Sequence, residues 1–317
     1  MRLLVTGGNG YVGRTVVRRL YDHHDVMVID NLRFGAVRFA DDERQKFALA
    51  PVDIADAGAV RRVMDDFVPD AVIHLAAIHY IPECERNPSL TTATNVLGTV
   101  SLLDAAPPDC RFVFASSGAV YAPEDDPHDE VTSPTSPSDV YGWSKLQGEQ
   151  WVAHLAPARG IAAVTVRLFN AVGPGETNPH LFPEIVAQLK AGRRTLELGN
   201  LTPRRDYVHV DDIADGFVAC ATVGAVEPGK VTTVNLGTGR HHSVAEVLDM
   251  VRQASGVDFA VQQDPARLRA VDRPVLAARI DRIGEAFAWA PRRSVEQAIA
   301  DLWNDPDLRP DLVEAYR

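Results

Sequence analysis

The feature that most constrains the fold is a regular alternation of short apolar runs with longer amphipathic segments over the first 168 residues. The apolar runs, rich in Val and Ile, are expected to be strands, and the segments between them have helical spacing. This alternation is typical of a parallel sheet with helices on both faces, which explains why the strands are apolar throughout. The predicted strands are 2–6, 26–30, 47–52, 71–75, 111–116 and 162–168, and the predicted helices are 11–22, 56–67, 89–106 and 139–157.

The second half of the chain is more broken, with Pro and Gly clusters at 172–183, 199–205 and 227–230. We therefore predict an α/β fold, a Rossmann-type doubly wound parallel sheet with a smaller C-terminal substrate-binding lobe. The predicted boundaries assign 1–168 to the sheet domain, to which 207–238 returns, and give 169–206 and 239–317 to the lobe.

Bulk composition excludes several classes of protein. The 317 residues include 32 Lys and Arg against 43 Asp and Glu, a formal net charge of −11, which is unfavourable for a nucleic-acid partner. No apolar run approaches the roughly 20 residues of a membrane span, and the chain begins with a predicted strand, leaving no room for a signal peptide. The three cysteines are scattered without metal-ligand spacing, so we expect a cytoplasmic protein with free thiols and no metal site.

A glycine-rich turn comes after the first predicted strand and opens the first predicted helix. The sequence TGGNGYVG at 6–13 places Gly7, Gly10 and Gly13 at three-residue intervals. Glycines here allow a tight turn, close approach of the backbone to a pyrophosphate and close packing of helix on strand. The helix N-terminus adds free N–H donors and a positive dipole end for the phosphates. Such a turn alone is weak support for a dinucleotide site, so the prediction depends on residues further along the chain.

Three further strand ends have residues that suit a dinucleotide. Asp30 ends the second predicted strand, about 20 residues past the glycines, where its carboxylate can bind a ribose diol and repel a 2′-phosphate. Arg33 lies nearby in sequence, so NAD is favoured over NADP without the choice being fixed. Asp53 and Ile54 come after the third strand, where a side chain can meet the adenine. The small residues of HLAA at 74–77 let the backbone pass close to the cofactor, and the histidine there is expected to be structural.

A tyrosine and a lysine form the predicted catalytic pair. Tyr141 and Lys145 are four residues apart in a predicted helix and therefore face the same side. Ser116 and Ser117 close the fifth strand, at the edge where doubly wound sheets bind ligands. We expect the lysine ammonium and a nicotinamide cation to lower the tyrosine pKa, so that it exchanges a proton with a sugar hydroxyl while hydride moves. A Tyr and a Lys with this spacing usually lie on an exposed helix surface. Here the glycine-rich turn and the serines at the end of the fifth strand favour the catalytic interpretation.

A series of motifs along nearly the whole chain is TGGNGYVG (6–13), Asp30-Asn31-Leu32, HLAA (74–77), Asn95-Val96-Leu97-Gly98-Thr99, SSGAVY (116–121), YGWSK (141–145), RLFNAVGPG (167–175), RDYVHVDD (205–212), NLGTG (235–239) and Arg269-x-x-Asp272. In this order they resemble the extended short-chain dehydrogenase/reductase superfamily, in its branch of NAD-dependent nucleotide-sugar epimerases and dehydratases. The resemblance implies a catalytic set of Ser117, Tyr141 and Lys145. It implies NAD contacts from Gly7, Gly10, Tyr11, Val12, Gly13, Asp30, Asn31, Asp53, Ile54, Leu75, Ala76, Ala77, Asn95, Tyr141 and Lys145.

The resemblance also implies a site for a nucleotide-diphosphate sugar. Asn170, Arg205 and Arg269 are expected to contact the diphosphate, since two guanidinium groups from different segments can clamp it by charge-assisted bonds. His180, with Leu181 next to it, falls where the family supplies a polar residue near the phosphates. Ser117 would bind the sugar.

Other roles are open for some of these side chains. Arg205 can instead pair with Asp206 or Asp211, and Arg269 can form a surface ion pair. Asp212 is expected to cap the helix that begins IADGF rather than to touch a ligand.

The residues after Ser117 indicate which reaction the family resemblance implies. The related dehydratases and decarboxylases have acidic residues there, whereas this chain continues Gly118-Ala119-Val120-Tyr121. This favours 4-epimerisation of a UDP-sugar, of UDP-glucose/UDP-galactose or UDP-glucuronate type, through a 4-keto intermediate. The alternatives are a nucleotide-sugar dehydratase or reductase, or a non-catalytic NAD-binding sensor on the same fold. The resemblance also implies a homodimer that pairs helices 89–106 and 139–157.

Overall fold

The structure, a computed structural model, describes residues 1–33, 35, 37–176, 178–264, 273–306 and 308. The strands are β1 (Arg2–Thr6), β2 (Asp25–Ile29), β3 (Ala48–Ala50), β4 (Ala71–His74), β5 (Arg111–Ser117), β6 (Ala162–Leu168), β7 (Asn170–Val172), β8 (Thr195–Leu198), β9 (Arg204–Arg205), β10 (Tyr207–His209), β11 (Val231–Leu236), β12 (His242–Ser243), β13 (Ala260–Gln263) and β14 (Val275–Leu276). The α-helices are α1 (Tyr11–Leu20), α2 (Ala57–Phe67), α3 (Ile81–Arg86), α4 (Pro88–Thr92), α5 (Gly98–Ala105), α6 (Val140–Ala158), α7 (Leu181–Lys190), α8 (Val210–Thr222), α9 (Val244–Ser255), α10 (Asp281–Phe287) and α11 (Val295–Trp303).

The central sheet has seven parallel strands in the order β11-β6-β5-β4-β1-β2-β3. The predicted doubly wound α/β fold is therefore confirmed. The strand order reverses beside β1, which lies between β2 and β4, and ligands bind at such a point outside the carboxyl ends of the strands.

Both faces of the sheet are buried, as the apolar strands require. Leu3 and Val5 of β1 belong to a core that includes residues of α1 and α8, whereas Leu4 belongs to a second core with residues of α2, α5 and α6. Successive side chains of a strand point to opposite faces, so a strand covered on both sides is mostly apolar, and its few polar residues, such as Thr6 and His74, are buried and hydrogen-bonded.

The predicted strands and helices of the first 168 residues are present, with small shifts at their ends. The third strand is shorter than expected, at 48–50. The helix predicted over 89–106 consists of α4, a π-helical turn at Ala93–Leu97 and α5. Among the described residues, no helix combines the length and apolarity needed to cross a bilayer.

A smaller group of elements lies beyond the carboxyl edge of the sheet. Its core joins residues of α7, α9 and α11 with those of β8 and β10. Between these elements the chain returns to the sheet, because α8 packs on α1 and β11 pairs with β6. The predicted domain boundaries remain predictions, and the end of the chain from 309 onward lies outside the described residues.

The prediction that Asp212 caps a helix is wrong. Helix α8 begins earlier than expected, and its N-cap is His209, whose ring accepts a hydrogen bond from the Asp211 N–H at 3.0 Å. Asp212 is in the first turn and buried, and it accepts hydrogen bonds from the N–H groups of Arg292 and Arg293, each at 2.8 Å. It therefore attaches the loop before α11 to α8.

Candidate active site

A cavity of about 1090 Å³ opens at the carboxyl ends of β1, β2, β4 and β5 and extends toward α7. Most of the residues predicted to form the site line this one cavity. They are Gly7, Gly10, Tyr11, Val12, Gly13, Asp30, Asn31, Asp53, Ile54, Leu75, Ala76, Ala77, Ser117, Tyr141, Lys145, Asn170, His180, Leu181 and Arg205. Arg269 lies outside the described residues. In the described part of the chain, no cluster of three or more His, Cys, Asp or Glu side chains is arranged to hold a metal ion.

The glycine turn forms the floor of the cavity. Gly7 has a φ of 68°, in the left-handed region that favours glycine. A Cβ at Gly13 would lie 2.0 Å from the Gly7 carbonyl oxygen, so α1 can approach the turn this closely only without a side chain. The N-terminus of α1 therefore faces the cavity with backbone N–H donors, an arrangement that fits a dinucleotide pyrophosphate.

Asp30 is held in a defined orientation at the end of β2. One carboxylate oxygen accepts the Leu32 N–H at 2.9 Å and the other accepts the Asn9 N–H at 3.0 Å. Each oxygen retains capacity for a further hydrogen bond, as a ribose diol requires. Beside it, the Asn31 amide donates to Asp53 at 3.0 Å, which links the ends of β2 and the third predicted strand.

Asn95, predicted to contact the cofactor, is not part of the cavity wall. Its side chain is buried, donates to the Ile78 carbonyl oxygen and the Ser144 hydroxyl, and accepts the Ile78 N–H at 2.8 Å. Both amide protons and the oxygen thus have partners inside the protein. Asn95 positions the loop after β4, and Ile78 of that loop lines the cavity instead.

His74 is structural, as predicted. Its ring is buried between the hydroxyls of Thr6 and Thr99, at 2.7 and 2.9 Å. Burial lowers the pKa of His74 well below its ordinary value, so the imidazole is neutral. It connects β4 to β1 and α5 behind the cavity.

The predicted catalytic residues come together through α6 and the end of β5. Asp139 caps α6 by accepting the Gly142 N–H at 2.7 Å. Gly142 lies so close to the turn after β5 that an added Cβ would be 2.6 Å from the Ala119 carbonyl oxygen. Lys145 is 2% exposed and donates to the Ala115 carbonyl oxygen at 2.8 Å. Its Nζ lies 5.9 Å from the centroid of the Tyr141 ring.

Burial determines the charges of the pair. It lowers the pKa of Lys145 from 10.5 to about 8. It also raises the pKa of Tyr141 above its ordinary value, and a hydrogen bond with Ser117 opposes that rise. Without the cofactor, desolvation of the phenolate therefore outweighs the hydrogen bond with Ser117, and the expected lowering of the tyrosine pKa, which includes a nicotinamide cation, stays a prediction. A nicotinamide cation bound beside the phenol would lower the pKa of Tyr141.

The sugar-nucleotide end of the cavity is built around Arg205 and Asn170. Arg205 donates to the carbonyl oxygens of Arg204 and Arg273, at 2.9 and 2.8 Å, which fixes its direction. The carboxylates considered as its alternative partners have other contacts: Asp206 accepts from Thr238 and Gly239, and Asp211 pairs with Arg19 and Arg293.

A polar cluster beside His180 was not identified from the sequence. His180 contacts the buried carboxylate of Glu176 at 2.5 Å, and its ring lies 5.8 Å from that of His79. The Asn178 amide lies 3.2 Å from His79 Nε2. Burial is the main reason that the pKa of His79 falls to about 4, so this ring is neutral and accepts the amide proton. The hydrogen bond between Asn178 and His79 connects the loop before α7 to the loop after β4.

Arg273 is a second residue that sequence reasoning missed. Its buried guanidinium donates to the carbonyl oxygens of Gly118 and Ala119, at 3.2 and 2.8 Å, and to the Ser138 hydroxyl at 3.2 Å. These groups belong to the turn after Ser117 and to the residue before the cap of α6. No local sequence signal marks Arg273, because its partners are more than 130 residues away.

The fold and the site together define a dinucleotide-dependent enzyme with a Ser, Tyr and Lys set beside the cofactor position. The chain belongs to the NAD dependent epimerase/dehydratase family, whose model matches residues 3–237. A UDP-glucose 4-epimerase from Corynebacterium glutamicum is 31% identical, with 96% of this chain and 95% of that protein covered.

Two solved structures are similar over almost the whole chain. A UDP-glucose 4-epimerase from Stenotrophomonas maltophila, with bound NAD and formylated UDP-arabinopyranose, is 26% identical with a TM-score of 0.84, covering 96% of this chain and 97% of that one. The Thermus thermophilus UDP-glucose 4-epimerase in complex with NAD is 29% identical with a TM-score of 0.82, covering 96% and 98%. NAD is therefore the cofactor of this family of enzymes, and the cavity fits it.

Proposed function

We propose that this enzyme interconverts the C4 epimers of a UDP-sugar, of UDP-glucose/UDP-galactose or UDP-glucuronate type, through a 4-keto intermediate. The observation that carries the proposal is the arrangement of Ser117, Tyr141 and Lys145 in the cavity, next to a turn without a carboxylate. The relatives named UDP-glucose 4-epimerase support the same reaction.

Each side chain of the site has a part in the proposed reaction. Bound NAD supplies a reversible hydride acceptor. Tyr141 removes the proton of the sugar O4 and later restores it, and Ser117 holds that oxygen by a hydrogen bond. The Lys145 ammonium stabilises the phenolate, and its hydrogen bond to Ala115 keeps it beside β5. Arg205 and Asn170 hold the diphosphate, and Asp30 holds the adenosine ribose.

The turn after β5 supports epimerisation over elimination of water. Residues 118–120 form a buried 3-10 turn that contains Gly, Ala and Val and has no acid to remove a proton from C5. Other carboxylates in the cavity wall have structural partners: Asp139 caps α6, Glu176 contacts His180 and Glu184 accepts from Gln188.

The test follows the sugar protons by NMR after incubation of the protein with catalytic NAD and UDP-glucose, UDP-glucuronate or UDP-N-acetylglucosamine. We expect one C4 epimer to appear and Tyr141→Phe to lower the rate at least about a hundredfold. Tyr21→Phe, outside the cavity, is the matched control. A 4-keto-6-deoxy product or stoichiometric NADH would replace the proposal with a dehydratase or reductase. If UDP-, dTDP-, GDP- and CDP-sugars all remain unchanged, the protein is a sensor.

We further propose that the enzyme is a cytoplasmic homodimer formed by the helices over 88–105 and α6. Three large apolar side chains of these helices, outside the cavity wall, are about half exposed in the single chain: Leu97, Trp143 and Trp151. Apolar side chains grouped in this way favour a protein interface. The three free, buried cysteines support a reducing compartment.

A further inference from the structure

An ion pair lies at the cofactor end of the cavity. The guanidinium of Arg33, which lines the cavity, is in direct contact with the carboxylate of Glu83 on α3. Arg33 comes after β2 and Glu83 comes after β4, so the pair joins the two strand-end loops on either side of β1. Asp30 is the carboxylate nearer to Arg33 in sequence, but it accepts hydrogen bonds from the backbone N–H groups of Asn9 and Leu32.

Arg33 occupies a position from which a cation can discriminate between NAD and NADP. The two cofactors differ in the 2′-phosphate of the adenosine ribose. In this type of site an arginine near the end of the second strand accommodates that phosphate, whereas a carboxylate there binds the free diol. This chain has both groups three residues apart, so selectivity depends on whether the guanidinium is available to a phosphate.

We propose that Glu83 is a specificity-determining residue that makes the site select NAD over NADP by holding Arg33. A 2′-phosphate would have to displace the Glu83 carboxylate from the guanidinium before it could bind there, and the Asp30 carboxylate lies three residues before Arg33. The side chains of Arg33 and Glu83 are 34% and 18% exposed, so the pair is less screened than an open surface pair. The proposal depends on the cofactor site and not on the sugar reaction proposed above.

The test measures nucleotide affinity and not turnover. Full-length protein freed of bound nucleotide is titrated with NADH and with NADPH, and the fluorescence of the reduced cofactor gives each dissociation constant. The variants are Glu83→Gln, which keeps the shape but removes the charge, Glu83→Ala, Arg33→Ala and the double variant Glu83→Gln/Arg33→Ala. Asp66→Asn, on the exposed side of α2, is the control for the loss of one negative charge.

We expect Glu83→Gln and Glu83→Ala to lower the ratio of the NADPH to the NADH dissociation constant about tenfold, the scale of one charge-assisted hydrogen bond. Asp66→Asn should leave the ratio unchanged, and the double variant should return it to the wild-type value because the guanidinium is gone. An unchanged ratio in both Glu83 variants, or a lowered ratio that persists without Arg33, overturns the proposal. A wild-type protein that binds neither nucleotide would contradict the cofactor site itself, and epimerase activity does not enter the result.

Discussion

Lys145 shows how a single buried charge connects the site to the stability of the protein. Its pKa in the folded protein is about 8, against an ordinary value of 10.5. Between these pH values the unfolded chain binds more protons than the folded one, so the free energy of unfolding rises with pH across this window. The ammonium needed for catalysis is therefore present at a cost in stability, which is largest below about pH 8.

The first prediction concerns this pH dependence. Lys145→Met has no titrating group at this position, so the stability of the wild type relative to the variant should increase from about pH 8 to 10.5, by roughly 1.4 kcal/mol per unit of pKa displacement. Urea denaturation of both proteins without nucleotide, at about pH 7.5 and about pH 10.5, measures the difference. If the free energies of unfolding of the wild type and of Lys145→Met changed in parallel with pH, the lysine would titrate normally in the folded protein.

A second prediction at this scale concerns Gly13. A Cβ there would overlap the Gly7 carbonyl oxygen, so Gly13→Ala should destabilise the protein by about 1–3 kcal/mol and weaken NADH binding. Gly58→Ala, at an exposed position of α2 where the nearest contact to an added Cβ is 3.5 Å, should leave NADH binding unchanged and raise stability by up to about 1 kcal/mol, because alanine favours a helix over glycine. Denaturation midpoints and NADH titrations compare the two variants with the wild type. Equal effects of the two substitutions would contradict a packing role for Gly13.

At the scale of elements, the catalytic geometry depends on how α6 meets the end of β5. Arg273 joins the two, since its guanidinium binds the turn after Ser117 and Ser138, the residue before the N-cap of α6. A lysine keeps the charge but has no planar fork for three acceptors in different directions. The buried carbonyl oxygens of Gly118 and Ala119 would then lose a donor.

We therefore predict that Arg273→Lys lowers kcat about 10- to 100-fold, since a misplaced catalytic group has effects of this size. The NADH dissociation constant should stay within about twofold of the wild-type value, because the glycine turn at the cofactor end of the cavity is unchanged. Arg279→Lys, an exposed position six residues later, is the control. Steady-state kinetics and NADH titration give both quantities. A rise in KM with unchanged kcat would instead assign Arg273 to substrate binding alone.

At the scale of the whole molecule, the exposed apolar face over α4 to α6 predicts a dimer. Replacing Leu97 and Trp151 by Glu places charges in the proposed interface and should produce a monomer. Val131→Glu, at a loop position that is 75% exposed, should leave the assembly unchanged. Size-exclusion chromatography with light scattering measures the mass. A wild-type monomer would remove the dimer from the proposed function.

The sequence alone determined the features that are encoded locally. The alternating apolar runs predict the sheet because a strand covered on both faces is mostly apolar, and the glycines of 6–13 predict the turn because a side chain does not fit there. The four-residue spacing of Tyr141 and Lys145 places them on one face of α6. Each of these constraints acts within one element or one turn, so it is visible in consecutive residues.

Tertiary structure alone decided which distant side chains meet. Asn95 belongs to a motif typical of cofactor sites, yet packing places its amide behind Ile78, where it exchanges hydrogen bonds with the Ile78 backbone and donates to Ser144. Arg33 meets Glu83 across 50 residues, and Arg273 reaches the turn after Ser117 across more than 150. Such pairs depend on how the elements pack and on which buried polar groups remain to be satisfied. No periodicity or spacing along the chain predicts which of these distant side chains will meet.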